Sequence, residues 1–411
     1  MESEWSYRLL FDAFSSREPV PTSLENALEV RSMAVWSPLR FNCGQEIANR
    51  FVIAPLTTDS SHEDGTSPDN ELEFVRRRAA GGFGAVISSA AYVEQDGRSW
   101  QGIGASHHGH LSSLHRLADA MRAAGGLAIL QIYDGGRIAR PELIGEQGLR
   151  APSAVASLRP GAKTPRAMTS DEIARLIASF GEAASLARKA GFDGVEVHGA
   201  NHYAVHQFFS PRANHRVDDW GGTLSKRMNF PLAVAQAVRD ALGPKLIAGF
   251  RVTPFESEAD GYTLEDAKLL CNELAKLDLD YISVSLDDYR KSKPMRETRV
   301  YDGTGEDSYA PTESPITEFA RVIAGRCAVM ASGGIKTCGD AEAAINMGAD
   351  LVAVGRAVVV DPEWLSKVRS EREASILAGL PKDEREIAKA LSIPPRMVEY
   401  LLSRPGWIPR L

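Results

Sequence analysis

Eight short apolar runs, each followed by a stretch of helical character, constrain this chain more than any other feature. They occupy residues 51–54, 85–89, 128–132, 194–197, 246–251, 281–285, 328–331 and 351–354. Most are rich in Val, Ile, Leu and Ala without alternation, the pattern of strands covered on both faces. The clearest helical segment opens at Thr169-Ser170-Asp171-Glu172, where Thr and Glu stand at capping-box spacing. Ile173, Ile177, Phe180, Ala184 and Ala187 then form one stripe, and Gly191 closes the helix. Segments 230–242 and 264–277 behave similarly. Strand and helix alternating eight times within about 330 residues predict an α/β fold, the (β/α)8 TIM barrel. A doubly wound sheet is the alternative, weakened because no G-x-G-x-x-G follows the first run.

The chain has 411 residues, 44% hydrophobic and 25% charged, as an ordinary globular enzyme does. A net charge of −7 and the lack of any Lys/Arg run point away from nucleic acid. Cys43, Cys271, Cys327 and Cys338 are scattered without a C-x-x-C, which argues against a zinc ribbon, an iron–sulfur cluster or a disulfide scaffold. No apolar run reaches the roughly 18 residues of a membrane span. Residues 1–36 carry early acids and lack a basic region followed by an apolar core, so they are expected to be an extension and not a targeting peptide. A cytoplasmic protein is expected, with a barrel over 37–370. A tail over 371–411, broken by Pro381 and Pro394-Pro395, is expected to pack on the barrel or at a homo-oligomer interface.

In such a barrel, chemistry sits on the carboxyl tips of the strands. Run seven leads into Ser332-Gly333-Gly334 and run eight into Gly355-Arg356, glycines and a forked cation suited to phosphate. Tight turns alone would also explain the glycines. Run four ends in Glu196-Val197-His198-Gly199-Ala200-Asn201-His202-Tyr203, an imidazole, an amide and a phenol able to grip one oxygen and offer a proton. Polar caps on a helix are the lesser reading of His198 and Asn201, while for Tyr203 the residues leave an aromatic packed at a helix start open. His198, His202 and His206 are four apart, but no Asp or Glu occurs from 197 to 213 and H-E-x-x-H is missing, so no metal is expected. His107, His108 and His110 read as an exposed loop.

Further stretches carry a resemblance. Asn49-Arg50-Phe51-Val52-Ile53-Ala54-Pro55-Leu56-Thr57, Leu130-Gln131-Ile132 with Gly136-Arg137, the 196–203 cluster, His206-Gln207-Phe208-Phe209-Ser210-Pro211, 218–224 up to Arg227, and the glycine loops with Asp361-Pro362-Glu363-Trp364 stand in order. Together, over about residues 37–370, they resemble the Old Yellow Enzyme family of FMN-dependent oxidoreductases.

The resemblance implies FMN with its phosphate on Gly333, Gly334, Gly355 and Arg356, and with Ala54, Pro55, Thr57 and Leu56 (where Met is frequent) beside the ring. It implies Ala90 approaching the flavin through its backbone, and Gln131 and Arg251 at the pyrimidine edge. A fixed cation there stabilises negative charge on reduced flavin. From the residues alone, a salt bridge across the barrel top is the second reading of Arg251, and a loop-bracing amide the alternative for Gln131. The resemblance makes His198 and Asn201 the clamp on a carbonyl or nitro oxygen and Tyr203 the proton donor. The implied activity is an ene-reductase: NADPH or NADH reduces FMN, which passes hydride to an electron-poor, α,β-unsaturated small molecule. A dienoyl-CoA reductase-like enzyme and a low-turnover flavin-binding protein are the alternatives. Two departures bear on the pocket: Asp134 where His is common, and His202 where Gly is usual. Loops 134–168 and 286–308 are expected to wall it.

Overall fold

Each barrel strand is apolar on both faces because each face meets a different layer. The computed structural model describes residues 34–145, 148–290 and 314–411, and Val35–Leu411 form one compact unit. The extension expected over 1–36 lies outside the described residues apart from Ala34–Trp36, a single 3-10 turn.

The strands are β1 (Phe51–Ile53), β2 (Ala85–Ile87), β3 (Leu127–Tyr133), β4 (Gly194–Gly199), β5 (Ile247–Val252), β6 (Tyr281–Ser285), β7 (Ala328–Ser332) and β8 (Leu351–Val354). They pair in parallel and in sequence order, and β8 returns to β1. The result is a closed (β/α)8 TIM barrel. Val52, Ile87, Ile129, Ile247, Met330 and Leu351 fill its interior. Their strand neighbours Phe51, Val86, Leu130, Val197, Phe250 and Val352 join the larger cluster that includes the helices. Side chains therefore alternate in direction while polarity does not.

The surrounding helices are α1 (Asp69–Ala79), α2 (Leu111–Met121), α3 (Ser170–Lys189), α4 (Leu224–Leu242), α5 (Leu264–Leu274), α6 (Pro315–Ile323) and α7 (Cys338–Asn346). Thr169 and Glu172 close the capping box of α3, and Ile173, Phe180, Ala184 and Ala187 are buried along its length. Truncating a fully buried Phe such as Phe180 costs about 3–5 kcal/mol. α4 begins at Leu224 and not at 230, because the Thr223 hydroxyl accepts the Lys226 N–H and caps it earlier. α5 stops at Leu274, short of 277.

A hairpin, Leu39–Arg40 paired with Glu46–Ile47, closes the amino-terminal mouth. Between its strands, Asn42 Nδ2 donates to the carbonyls of Leu279 and Arg326, and Gln45 Nε2 to those of Asp193 and Lys245. These carbonyls lead into or immediately precede β4 to β7, so the barrel opens only toward its carboxyl ends. Beyond β8, helices Glu384–Leu391 and Pro395–Leu402 bury Ile387, Leu391, Met397 and Leu401 against Phe74 of α1 and Val359 and Val360. No helix among the described residues is long and apolar enough to cross a membrane.

Candidate active site

The carboxyl ends of the strands surround a cleft of about 650 Å³, within the range of small-molecule sites. Ala54, Pro55 and Leu56 line it after β1, Asn201 after β4 and Arg251 on β5. Gly333 and Gly334 after β7, with Gly355 and Arg356 after β8, complete the opposite side. Gly333 and Gly334 have φ of +105° and +72°, backbone that L side chains resist. A Cβ on Gly333 would stand 2.3 Å from the Leu286 carbonyl oxygen. Only glycine lets this loop pass so close to the end of β6. Arg356 Nη2 donates to the Asp287 carbonyl at 3.0 Å, which fixes its guanidinium on the wall.

Beneath the cleft runs a polar column through an otherwise apolar barrel. Gln131 and Glu196 are register partners on β3 and β4, and Gln131 Nε2 donates to Glu196 Oε1 at 2.6 Å. Burial pushes the Glu196 carboxyl up, and Arg251 opposes it. Burial likewise lowers Arg251, with Glu196 opposing. Arg251 Nη2 donates to Ser285 Oγ at 3.0 Å, while its Nε and Nη1 are buried without a partner among the described residues. Leaving a buried donor unmatched costs about 1–3 kcal/mol. The guanidinium is placed to meet an acceptor edge that the described residues do not supply.

His198 is on β4 and 6% exposed. Burial first and Arg251 second hold its imidazole well below the usual range, so it is neutral, and Nδ1 has no partner among the described residues. β4 then ends in a tight turn with φ of +56° at Asn201 and +65° at His202. The positive φ that makes glycine usual at position 202 is therefore present here, carried by histidine. Asn201 N–H donates to Thr253 Oγ1 at 3.0 Å, and Asn201 Oδ1 accepts from Ser285 Oγ at 3.2 Å. With its oxygen thus engaged, the Asn201 amide is left its NH2 to donate. Tyr203 precedes helix Ala204–Phe209 and packs its ring 4.6 Å from His198 and 5.2 Å from Tyr133. Burial pushes its hydroxyl pKa up.

His198, Tyr203, Gln131, Ala90 and Thr57 are not among the residues that line this cleft, although His198 and Tyr203 flank Asn201, which does. Ala90 is buried in an aromatic cluster with Tyr92, Trp100 and Tyr133, and Thr57 is half-buried after β1. Asp134 does not reach the pocket: it is buried and ion-paired with Arg150 at 3.1 Å. Arg150 also holds Glu94 at 2.5 Å, tying the loop down, and no described residue of 134–168 lines the cleft. Leu286 and Asp287 do line it; residues 291–308 lie outside the described residues. His107 and His108 are exposed, but His110 turns inward, with Nε2 at 2.8 Å from the Asp64 carbonyl.

Several residues here carried no expectation. Glu196 had a signal, a charge inside an apolar run. Ser285 and Thr253 are ordinary strand-end hydroxyls. Trp407, from the far tail, also lines the cleft, and nothing local marks it.

The sequence model of the NADH:flavin oxidoreductase / NADH oxidase family matches residues 34–375. The probable NADH-dependent flavin oxidoreductase YqiG of Bacillus subtilis is 35% identical over 91% of this chain and 97% of its own length. NADH:acrylate oxidoreductase of Vibrio harveyi is 37% identical over 88% of this chain, which spans 35% of that longer protein. Among solved structures, morphinone reductase superposes with a TM-score of 0.68 at 27% identity, covering 82% of this chain and 89% of its own.

Proposed function

The chain belongs to the NADH:flavin oxidoreductase / NADH oxidase family, the Old Yellow Enzyme type of barrel, and on that premise we propose that it reduces alkenes conjugated to a carbonyl, carboxyl or nitro group. It is an NAD(P)H-dependent flavin oxidoreductase with FMN as cofactor. The residues present fit that group. Arg251 offers an acceptor edge two buried nitrogens that have no partner among the described residues, and the glycine loops after β7 and β8 offer backbone N–H groups and Arg356 to a phosphate. When bound, FMN supplies hydride transfer between the nicotinamide and the alkene.

The chain's own residues divide the remaining work. Arg251 would hold the flavin through its open guanidinium nitrogens, and its positive charge there would favour the reduced form. Neutral His198 and the Asn201 amide donate to the activating oxygen, drawing electron density from the β-carbon. Tyr203 keeps its proton at neutral pH and delivers it to the α-carbon. The name of the acrylate oxidoreductase brings α,β-unsaturated acids within the class worth assaying.

The observation that carries this reading is the open guanidinium of Arg251 beside the Ser285–Asn201 relay, at the mouth that the hairpin leaves open. An anaerobic titration tests it. Flavin absorbance bleached by NADPH or NADH and restored by cyclohexenone is the expected result. Bleaching without restoration by enone, nitroalkene or acrylate would leave a flavoenzyme of another oxidant.

A further inference from the structure

Two lone pairs face each other at the rim of the cleft. The Tyr262 hydroxyl donates to the Thr253 carbonyl at 2.9 Å, and its oxygen lies 3.3 Å from His206 Nδ1. With its proton spent on the carbonyl, Tyr262 accepts there, so Nδ1 carries the hydrogen. His206 Nε2 then points at Glu256 Oε1, 3.1 Å away. The other oxygen, Oε2, is already engaged by the Ser210 hydroxyl at 2.7 Å and the Tyr262 N–H at 3.2 Å. Nε2 and Oε1 therefore need a cation between them, a proton or a metal ion.

His202 supplies a third ligand at the same point. Its Nδ1 lies 3.8 Å from Glu256 Oε1, and its ring centroid is 4.6 Å from that of His206. One ligand atom from each of the three residues falls within 4.8 Å of the others. Two ligand atoms on a tetrahedral zinc ion stand about 3.3 Å apart, from metal–ligand bonds near 2.0 Å. His202 is held in this place by left-handed backbone, φ +65°, with its carbonyl taken by Gln207 Nε2. That is the conformation glycine adopts freely, and histidine here turns its imidazole over Glu256. His206 and Glu256 are buried, whereas the His202 side chain is 47% exposed, and His202 and Glu256 both line the cleft.

We propose that His202, His206 and Glu256 form a binding site for a divalent transition-metal ion of the zinc type, with its open coordination position toward the cleft. Two imidazoles and one carboxylate with an open fourth place are a recurrent zinc set. The partners that such ligands require are present: Tyr262 fixes the His206 tautomer, and Ser210 orients the carboxylate. The acid missing from residues 197–213 arrives from the loop after β5.

Zinc counting on the FMN-loaded full chain tests the site. The protein is dialysed against chelator, then against micromolar zinc chloride, and bound metal is measured by atomic emission. About one tight equivalent is expected in the parent. A first-sphere ligand should matter more than a supporting one, so H202G and E256Q are expected to weaken zinc by at least about 100-fold. H202G relieves the backbone and removes only the exposed ligand, so retained flavin absorbance verifies its fold. No zinc taken up by the parent would overturn the site and leave a proton between His206 and Glu256. Equal uptake by parent and H202G would overturn it too, placing the metal elsewhere.

Discussion

Gln131 Nε2 donates to Glu196 Oε1 across 2.6 Å inside the barrel, where the Arg251 charge counters the upward push of burial on the Glu196 carboxyl. Gln131, proposed to meet the ring edge, is thus already bonded to Glu196. E196Q keeps the shape and the hydrogen bond but removes a negative charge from beside Arg251. The unscreened guanidinium should favour reduced flavin, raising the midpoint potential by on the order of 30 mV, a tenfold change in a two-electron equilibrium. Potentiometry at neutral pH measures this. An unchanged potential would mean that Glu196 is already neutral.

His198→Ala removes one donor to the activating oxygen and should lower kcat/KM with enones and nitroalkenes alike by roughly 10²–10³. Phenol binding, read from its charge-transfer band, should weaken in parallel. Burial and Arg251 depress the His198 pKa, so the neutral form is fully present above that lowered value and is lost only as pH falls through it. The parent's rate should therefore show no histidine inflection between about pH 6 and 8. Unchanged phenol affinity would refute the clamp.

Tyr203→Phe should leave NAD(P)H reduction of the flavin intact and slow its reoxidation by enone by roughly 10²–10⁴. The raised hydroxyl pKa keeps the proton in place throughout the neutral range. Stopped-flow spectroscopy separates the two half-reactions. Equal losses in both would assign Tyr203 to packing against Tyr133 and His198.

The barrel is readable in the sequence because burial on both faces turns each strand into an apolar run, and because glycine loops and strand-end polar groups are local. Helix boundaries are less readable: Thr223 caps α4 without the acidic partner that marks Thr169 and Glu172. Asp134 is visible as a departure, but its burial depends on Arg150, whose approach no periodicity announces. Glu256 and Trp407 reach the cleft from distant segments. Such contacts are set by how loops and tail pack, and a single chain's pattern does not encode that packing locally.

Trp407 is half-buried and forms part of the cleft wall, its ring edge-on to Tyr400 with centroids 6.2 Å apart. Trp407→Ala should raise KM for cyclohexenone several-fold, with kcat nearly unchanged, as when binding shared by ground and transition states is lost. Bulkier enones should lose less. A fall in kcat with KM unchanged would move Trp407 away from the substrate.

Arg78 anchors the tail that carries Trp407. Fully buried, it donates from Nε to Val358 O at 2.9 Å, from Nη1 to Phe74 O at 2.9 Å, and from Nη2 to Val359 O and Leu391 O at 3.1 and 3.0 Å. Arg78→Met fills the space but leaves the carbonyls of Val358, Val359 and Leu391 without this donor, costing on the order of 4 kcal/mol. Val358 and Val359 follow Arg356 within one short helix, so loosening them reaches the proposed phosphate loop. The variant should lower the thermal midpoint by several degrees and raise the FMN dissociation constant in the same preparation. A lower midpoint with unchanged FMN affinity would confine Arg78 to holding the tail and uncouple that tail from the cofactor.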